Sequence, residues 1–160
     1  MTSTSAGPGG PWEDPAVWGP RLERLLAEQR QAAGELRELA RRQRGLIDQN
    51  QTDGLLALLA ERQVVVDRLA DLSRQAEPFG RGWAAYASQL PSERRARVER
   101  LAEEVAELIG LVAKSDQTDR VLLEERRSGL AAELSAVGRG RGALAAYEAR
   151  SRDQAPRDLA

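Results

Sequence analysis

Histidine and cysteine are absent from the 160 residues, and lysine occurs once, at Lys114, among 24 basic side chains. Without imidazole or thiol there is no histidine general base, no cysteine nucleophile, no disulfide framework and no thiolate or imidazole set for zinc or iron. The Glu-x-x-His signature of di-iron helical bundles is excluded on the same ground. Long apolar runs are missing as well: Leu55 to Ala60 and Leu108 to Ala113 stop far short of the roughly 20 residues of a membrane helix. Met1 to Gly19 lacks the basic start and apolar stretch of a secretory signal. The 25 acidic residues leave a formal net charge of -1, so no whole-molecule field draws the protein onto nucleic acid or anionic membrane. The expectation is a cytoplasmic protein that is not an enzyme, with no cofactor, no metal, no nucleic-acid partner and no membrane insertion.

What is abundant is Ala, Leu, Glu and Arg, in a chain that is 41% hydrophobic, 31% charged and 4% aromatic. That composition favours helix over sheet. A seam with 3-4 alternation runs through Leu22, Leu25, Gln29, Ala32, Leu36, Leu39, Gln43 and Leu46, which predicts a helix over 20–49 with coiled-coil character. A second apolar pattern, Leu55, Leu58, Leu59, Val65, Val66, Leu69 and Leu72, predicts a helix over 52–76. Thr52 or Asp53 is its expected cap and Pro78 lies beyond its end. A third, from Val98 through Leu101, Val105, Leu108, Val112, Leu122, Leu130 and Leu134 to Val137, predicts a helix over 92–137. The fold expected is all-α: an elongated antiparallel three-helix bundle over 20–137, the first two helices forming a hairpin. The third helix, the longest, must overhang its neighbours or bend, and the polar stretch Ser115 to Asp119 is the candidate bend. Residues 1–19, rich in Gly and Pro, read as a disordered tail. Over 138–160 the glycines at 138, 140 and 142 are expected to end the third helix, before a short weak helix and a flexible tail.

All six aromatics fall outside these three spans, so the core is expected to be aliphatic. Phe79, Trp83 and Tyr86 either close one end of the bundle or anchor a partner. Arg94, Arg95 and Arg97 sit in the first turns of the third helix, against its dipole. Either they meet something acidic or their stems cover apolar surface. Glu38 with Arg42, Glu93 with Arg97, and Asp116 with Arg120 have favourable i,i+4 spacing. Ala113-Lys114-Ser115 lacks the glycine of a phosphate loop, and no strand precedes the glycines at 138–142, so both nucleotide motifs fail.

The run Leu55–Leu69 (LLALLAERQVVVDRL), following a helix that ends in Leu46-Ile47-Asp48, and the run Leu134–Tyr147 (LSAVGRGRGALAAY) resemble the flagellar export chaperones of the FlgN type. The resemblance spans 22–150 and rests on order and spacing. It implies a cytoplasmic chaperone that holds the terminal amphipathic helices of hook-filament junction proteins before type III export, and it implies that Tyr147 contacts the export gate. A client helix would lie in a groove on the third helix, with Val121, Leu122, Leu130, Leu134 and Val137 as the client-binding residues. The chain would then be a monomer or weak homodimer. The competing reading is a structural coiled-coil adaptor that self-associates through the same helix.

Overall fold

A computed structural model describes residues 14–153. Every regular element among them is helical: α1 Pro15–Asp48, α2 Thr52–Arg81, a short α3 Trp83–Ala87, and α4 Ser92–Asp153. The all-α expectation holds, with α3 as an additional helix. No described helix is long and apolar enough to cross a membrane. The chain divides after Gln117 into two compact units, and α4 contributes residues to both.

Helix α1 begins at Pro15 rather than at 20. The Asp14 carboxylate accepts a hydrogen bond from the Ala16 N–H at 2.9 Å, and Pro15 takes the first helical position, where a missing N–H is least costly. Pro20 therefore lies inside the helix. The bond it cannot donate would have ended on the carbonyl of Ala16, an exposed residue. The expected tail is corrected accordingly: residues 15–19 are helical and Trp18 is fully buried. The rest of that tail, with Trp12, lies outside the described residues.

The α1–α2 turn closes by a Schellman arrangement. Asn50 adopts a left-handed conformation with φ 56°. Its N–H donates to the Ile47 carbonyl at 3.1 Å, and the Gln51 N–H donates to Leu46 at 3.0 Å. Asn50→Val should cost about 1–2 kcal/mol, because a β-branched side chain clashes in this region. Asn50→Gly should cost nothing. Urea denaturation measures both, and equal losses would reject the left-handed backbone as the cause. Gln51, not Thr52 or Asp53, stands at the N-cap of α2 and makes no side-chain cap bond; Asp53 instead supplies the acidic residue of the first turn, complementing the helix dipole.

Partners along α1 and α2 run in opposite order: Arg42 with Glu61, Glu35 with Arg68, Gln29 with Ser73, and Trp18 with Phe79. The two helices are thus antiparallel. Glu23 with Arg97 and Arg30 with Glu104 each join residues 74 apart in sequence, so α1 and the first part of α4 run in the same direction. Burial follows from this arrangement. Helix α1, with partners on two sides, buries a wide stripe that includes Leu25, Leu26, Ala32, Ala33, Leu39 and Ala40. Helix α2 buries one row at seven-residue spacing, Leu58, Val65, Leu72 and Phe79. The first half of α4 likewise buries Val98, Val105 and Val112. Leu59 and Val66, expected in the seam, are exposed because the apolar run of α2 covers more than the one face that meets α1.

Helix α2 passes its expected end at 76 and continues to Arg81, taking in Pro78. An interior proline costs about 3 kcal/mol, and the burial of Phe79 on the next position offsets it. The Phe79 ring lies 5.7 Å from Trp18 and 5.0 Å from Tyr86, and Tyr86 meets Trp18 edge-on at 4.9 Å. Arg21 caps the cluster 5.9 Å above the Phe79 ring. Leu22, Leu26, Leu90 and Val98 complete this second core. The expectation that aromatics stay out of the helices is corrected: Trp18, Phe79, Trp83, Tyr86 and Tyr147 are all helical, and the rings of Trp18, Phe79 and Tyr86 form a core of their own.

Helix α4 passes through Gly138, Gly140 and Gly142 to Asp153, which corrects the expected end at 137. Each glycine costs about 1 kcal/mol relative to alanine but keeps its N–H and can adopt helical angles. The first proline after Pro91 is Pro156, and it lies outside the described residues. Arg94 and Arg97 do meet an acidic partner, Glu23 of α1, at 3.4 and 2.8 Å. Arg97 therefore pairs across helices, and Arg42 likewise reaches Glu61 at 3.3 Å. Gly19 permits the close approach of this end of α4: a Cβ there would come within 3.1 Å of Leu90 and 3.2 Å of the Arg94 stem.

The Ser115–Asp119 stretch is helical, and one reason for its polarity is a contact within the first unit. The Arg62 guanidinium of α2 forks onto both Asp116 carboxylate oxygens, with 2.7 Å to Oδ1, and also donates to Gln43 Oε1 of α1 at 2.9 Å. One side chain thereby ties three helices together. Its exposure of 15%, against 32% for Asp116, makes this pair less screened than the surface pairs, which are worth about 0–1 kcal/mol each. Arg62→Ala should cost about 1–3 kcal/mol through the carboxylate left without its partner. A double-mutant cycle with Asp116→Asn should show coupling above about 0.5 kcal/mol; additive losses would count against the clamp.

Candidate functional site

The five residues read from the sequence as client-binding all lie in the second unit, on the part of α4 beyond Gln117. There Leu130 is 60% exposed, Leu134 71% and Val137 52%, far more than core leucines and valines. At roughly 100° per residue, Leu130, Leu134 and Val137 share one face of the helix within an arc of about 60°. Leu123 and Leu144, also exposed, extend the same band to an arc of about 80°. Leu122, half-buried, falls about 80° from Leu130, at the edge of the band. Val121 is exposed but lies on the opposite side, about 180° from Leu130. The helix therefore brings together three of the five residues and separates Val121 from them. Tyr147, also exposed, flanks the band about 60° beyond Leu144.

Leu123 and Leu144 escaped the sequence reading although the seven-residue spacing of 123, 130, 137 and 144 was there to be seen. Arg141 falls in the same arc, and its charge interrupts the apolar pattern.

The first unit carries a different feature, a groove of about 530 Å³ lined by α1, α2, Trp83 of α3, and the start of α4. Leu22, Leu26, Phe79 and Val98 form its floor, all of them buried residues of the aromatic-end core. Sequence reasoning did not assemble it, because its walls come from segments up to about eighty residues apart: Leu22 and Val98 read as seam positions, and Phe79 and Trp83 as aromatics that close the bundle end or anchor a partner. No group of three or more metal-ligating side chains is present among the described residues. Compared with protein-family models, with curated proteins and with solved structures, the chain matches none.

Proposed function

We propose that this chain is a helix-binding protein, an export chaperone of the FlgN type acting in the cytoplasm. It holds the terminal amphipathic helices of hook-filament junction proteins against α4. In this reading α1, α2 and α4 form an antiparallel three-helix bundle of coiled-coil character, and the client supplies a further helix. The observation that carries the proposal is the exposed band Leu123, Leu130, Leu134, Val137 and Leu144. It is an exposed apolar band, crossed by Arg126 and Arg141, of the kind that an amphipathic helix covers. Tyr147, 70% exposed beside the band, is free to meet the export gate while a client is held.

Isothermal titration with a junction-protein terminal helix tests the proposal. A dissociation constant of about 1–10 μM supports it, and the absence of binding at about 100 μM would sink it. The adaptor reading is favoured by one specific observation, the seven-residue spacing of the band, which also suits pairing with α4 of a second copy. Light scattering decides between them: a tight homodimer that Leu130→Asp dissociates favours the adaptor, and a monomer that binds the client helix favours the chaperone.

A further inference from the structure

We propose that the groove of the first unit is a second docking site, whose occupant is a positively charged amphipathic helix from a partner protein. Three independent features of the groove point to this occupant. Its lining runs along the helices for about two turns, from Leu22 through Leu26 to Gln29 on α1 and from Ser73 through Ala76 to Gly80 on α2, so it is elongated along the helix axes. Its walls carry small side chains, Ala76, Gly80 and Ala102. A Cβ placed on Gly80 would meet nothing within 4 Å, and small residues let a further helix approach closely. Its charged lining is acidic throughout: Glu77, Glu99 and Glu103, with no Arg or Lys.

Glu77 is paired with Arg81, and Glu99 with Arg95 at 3.8 Å. Both are exposed i,i+4 surface pairs, weak enough to be exchanged for a cation delivered from above the groove. Glu103 has no ion-pair partner among the described residues. A basic amphipathic helix would place its apolar face on the floor and its Lys or Arg residues against these carboxylates. An acidic helix would be repelled. The surface is distinct from the α4 band and does not depend on it.

The test uses the full chain and two synthetic amphipathic helices of about 18 residues, with leucine on one face and either lysine or glutamate on the other. The Leu/Lys helix binds at least tenfold more tightly than the Leu/Glu helix. The double reversal Glu99→Lys with Glu103→Lys, at two exposed positions, inverts that preference. Ala102→Trp, also at an exposed position, fills the trough and removes binding of both. Circular dichroism confirms that each variant is folded. All are measured in the Leu130→Asp with Leu134→Asp background, which disables the α4 band, so failure of this site is read separately from failure of the proposed chaperone function. The proposal is overturned if neither helix binds in that background, if both bind alike, or if charge reversal leaves the preference in place. It is likewise overturned if Ala102→Trp dissociates a homodimer, since the groove would then belong to a second copy.

Discussion

Phe79→Ala should lower the stability of the first unit by about 3–5 kcal/mol, the range for removing a buried aromatic ring from a packed core. Phe79 is 2% exposed and touches both Trp18 and Tyr86 at ring distances of 5.7 and 5.0 Å. Its loss therefore removes transfer free energy, leaves a cavity, and breaks two aromatic contacts at once. It also removes the burial that holds the last turn of α2 beyond Pro78, so the ends of α2 and α3 should fray first. At about 2–4 °C per kcal/mol for a chain of this size, the melting temperature should fall by roughly 6–20 °C. Phe79→Leu, which keeps most of the volume, should cost about 1–2 kcal/mol. Thermal and urea unfolding followed by circular dichroism measure both. A loss below about 1 kcal/mol for Phe79→Ala would mean that the three rings are not a core.

Leu130→Asp combined with Leu134→Asp should have the opposite character, a large loss of binding with little loss of stability. Both leucines are more than half exposed, so folding gains little from them, and aspartate lowers helix propensity by only about 0.5 kcal/mol per site. In the complex, each leucine covered by a client helix contributes about 1.5–3 kcal/mol. Affinity should therefore fall by about 10²–10⁴-fold. Val121→Asp is the control, since Val121 is also exposed but faces away from the band. It should leave affinity within about threefold of the parent, less than 1 kcal/mol. If Val121→Asp weakens binding as much as the double variant does, the band is not the site.

The two predictions differ because exposure separates apolar residues that look alike in sequence. Leu72 and Leu134 both occupy helical apolar positions, yet one is 7% and the other 71% exposed. Periodicity identifies which residues share a helix face; it carries no information on whether another helix is present to cover that face. The same limit explains the charged residues. Arg42 and Glu38 are four apart and compatible on one helix, but Arg42 instead meets Glu61 across the hairpin. Arg62 gave no signal of its role, because its partners Gln43 and Asp116 come from two other helices.

By itself the sequence determined the helical class, through a composition poor in aromatics and rich in helix formers, and the α1–α2 hairpin, through its short polar link. It also placed Leu58, Val65 and Leu72 within the apolar pattern of α2 and Leu130, Leu134 and Val137 within that of α4, because helical spacing is a local property, but Leu59, Val66 and Val121 were grouped with them and lie elsewhere. The absence of His and Cys likewise excluded whole classes of chemistry before any coordinates. Only the tertiary structure decided where helices end. Proline and glycine set local costs of about 1–3 kcal/mol, and packing such as that of Trp18 and Phe79 outweighs them. Only the tertiary structure, too, gathered Leu22, Phe79, Trp83 and Val98 around one groove, since a concave surface depends on which distant segments meet and no single segment encodes that meeting.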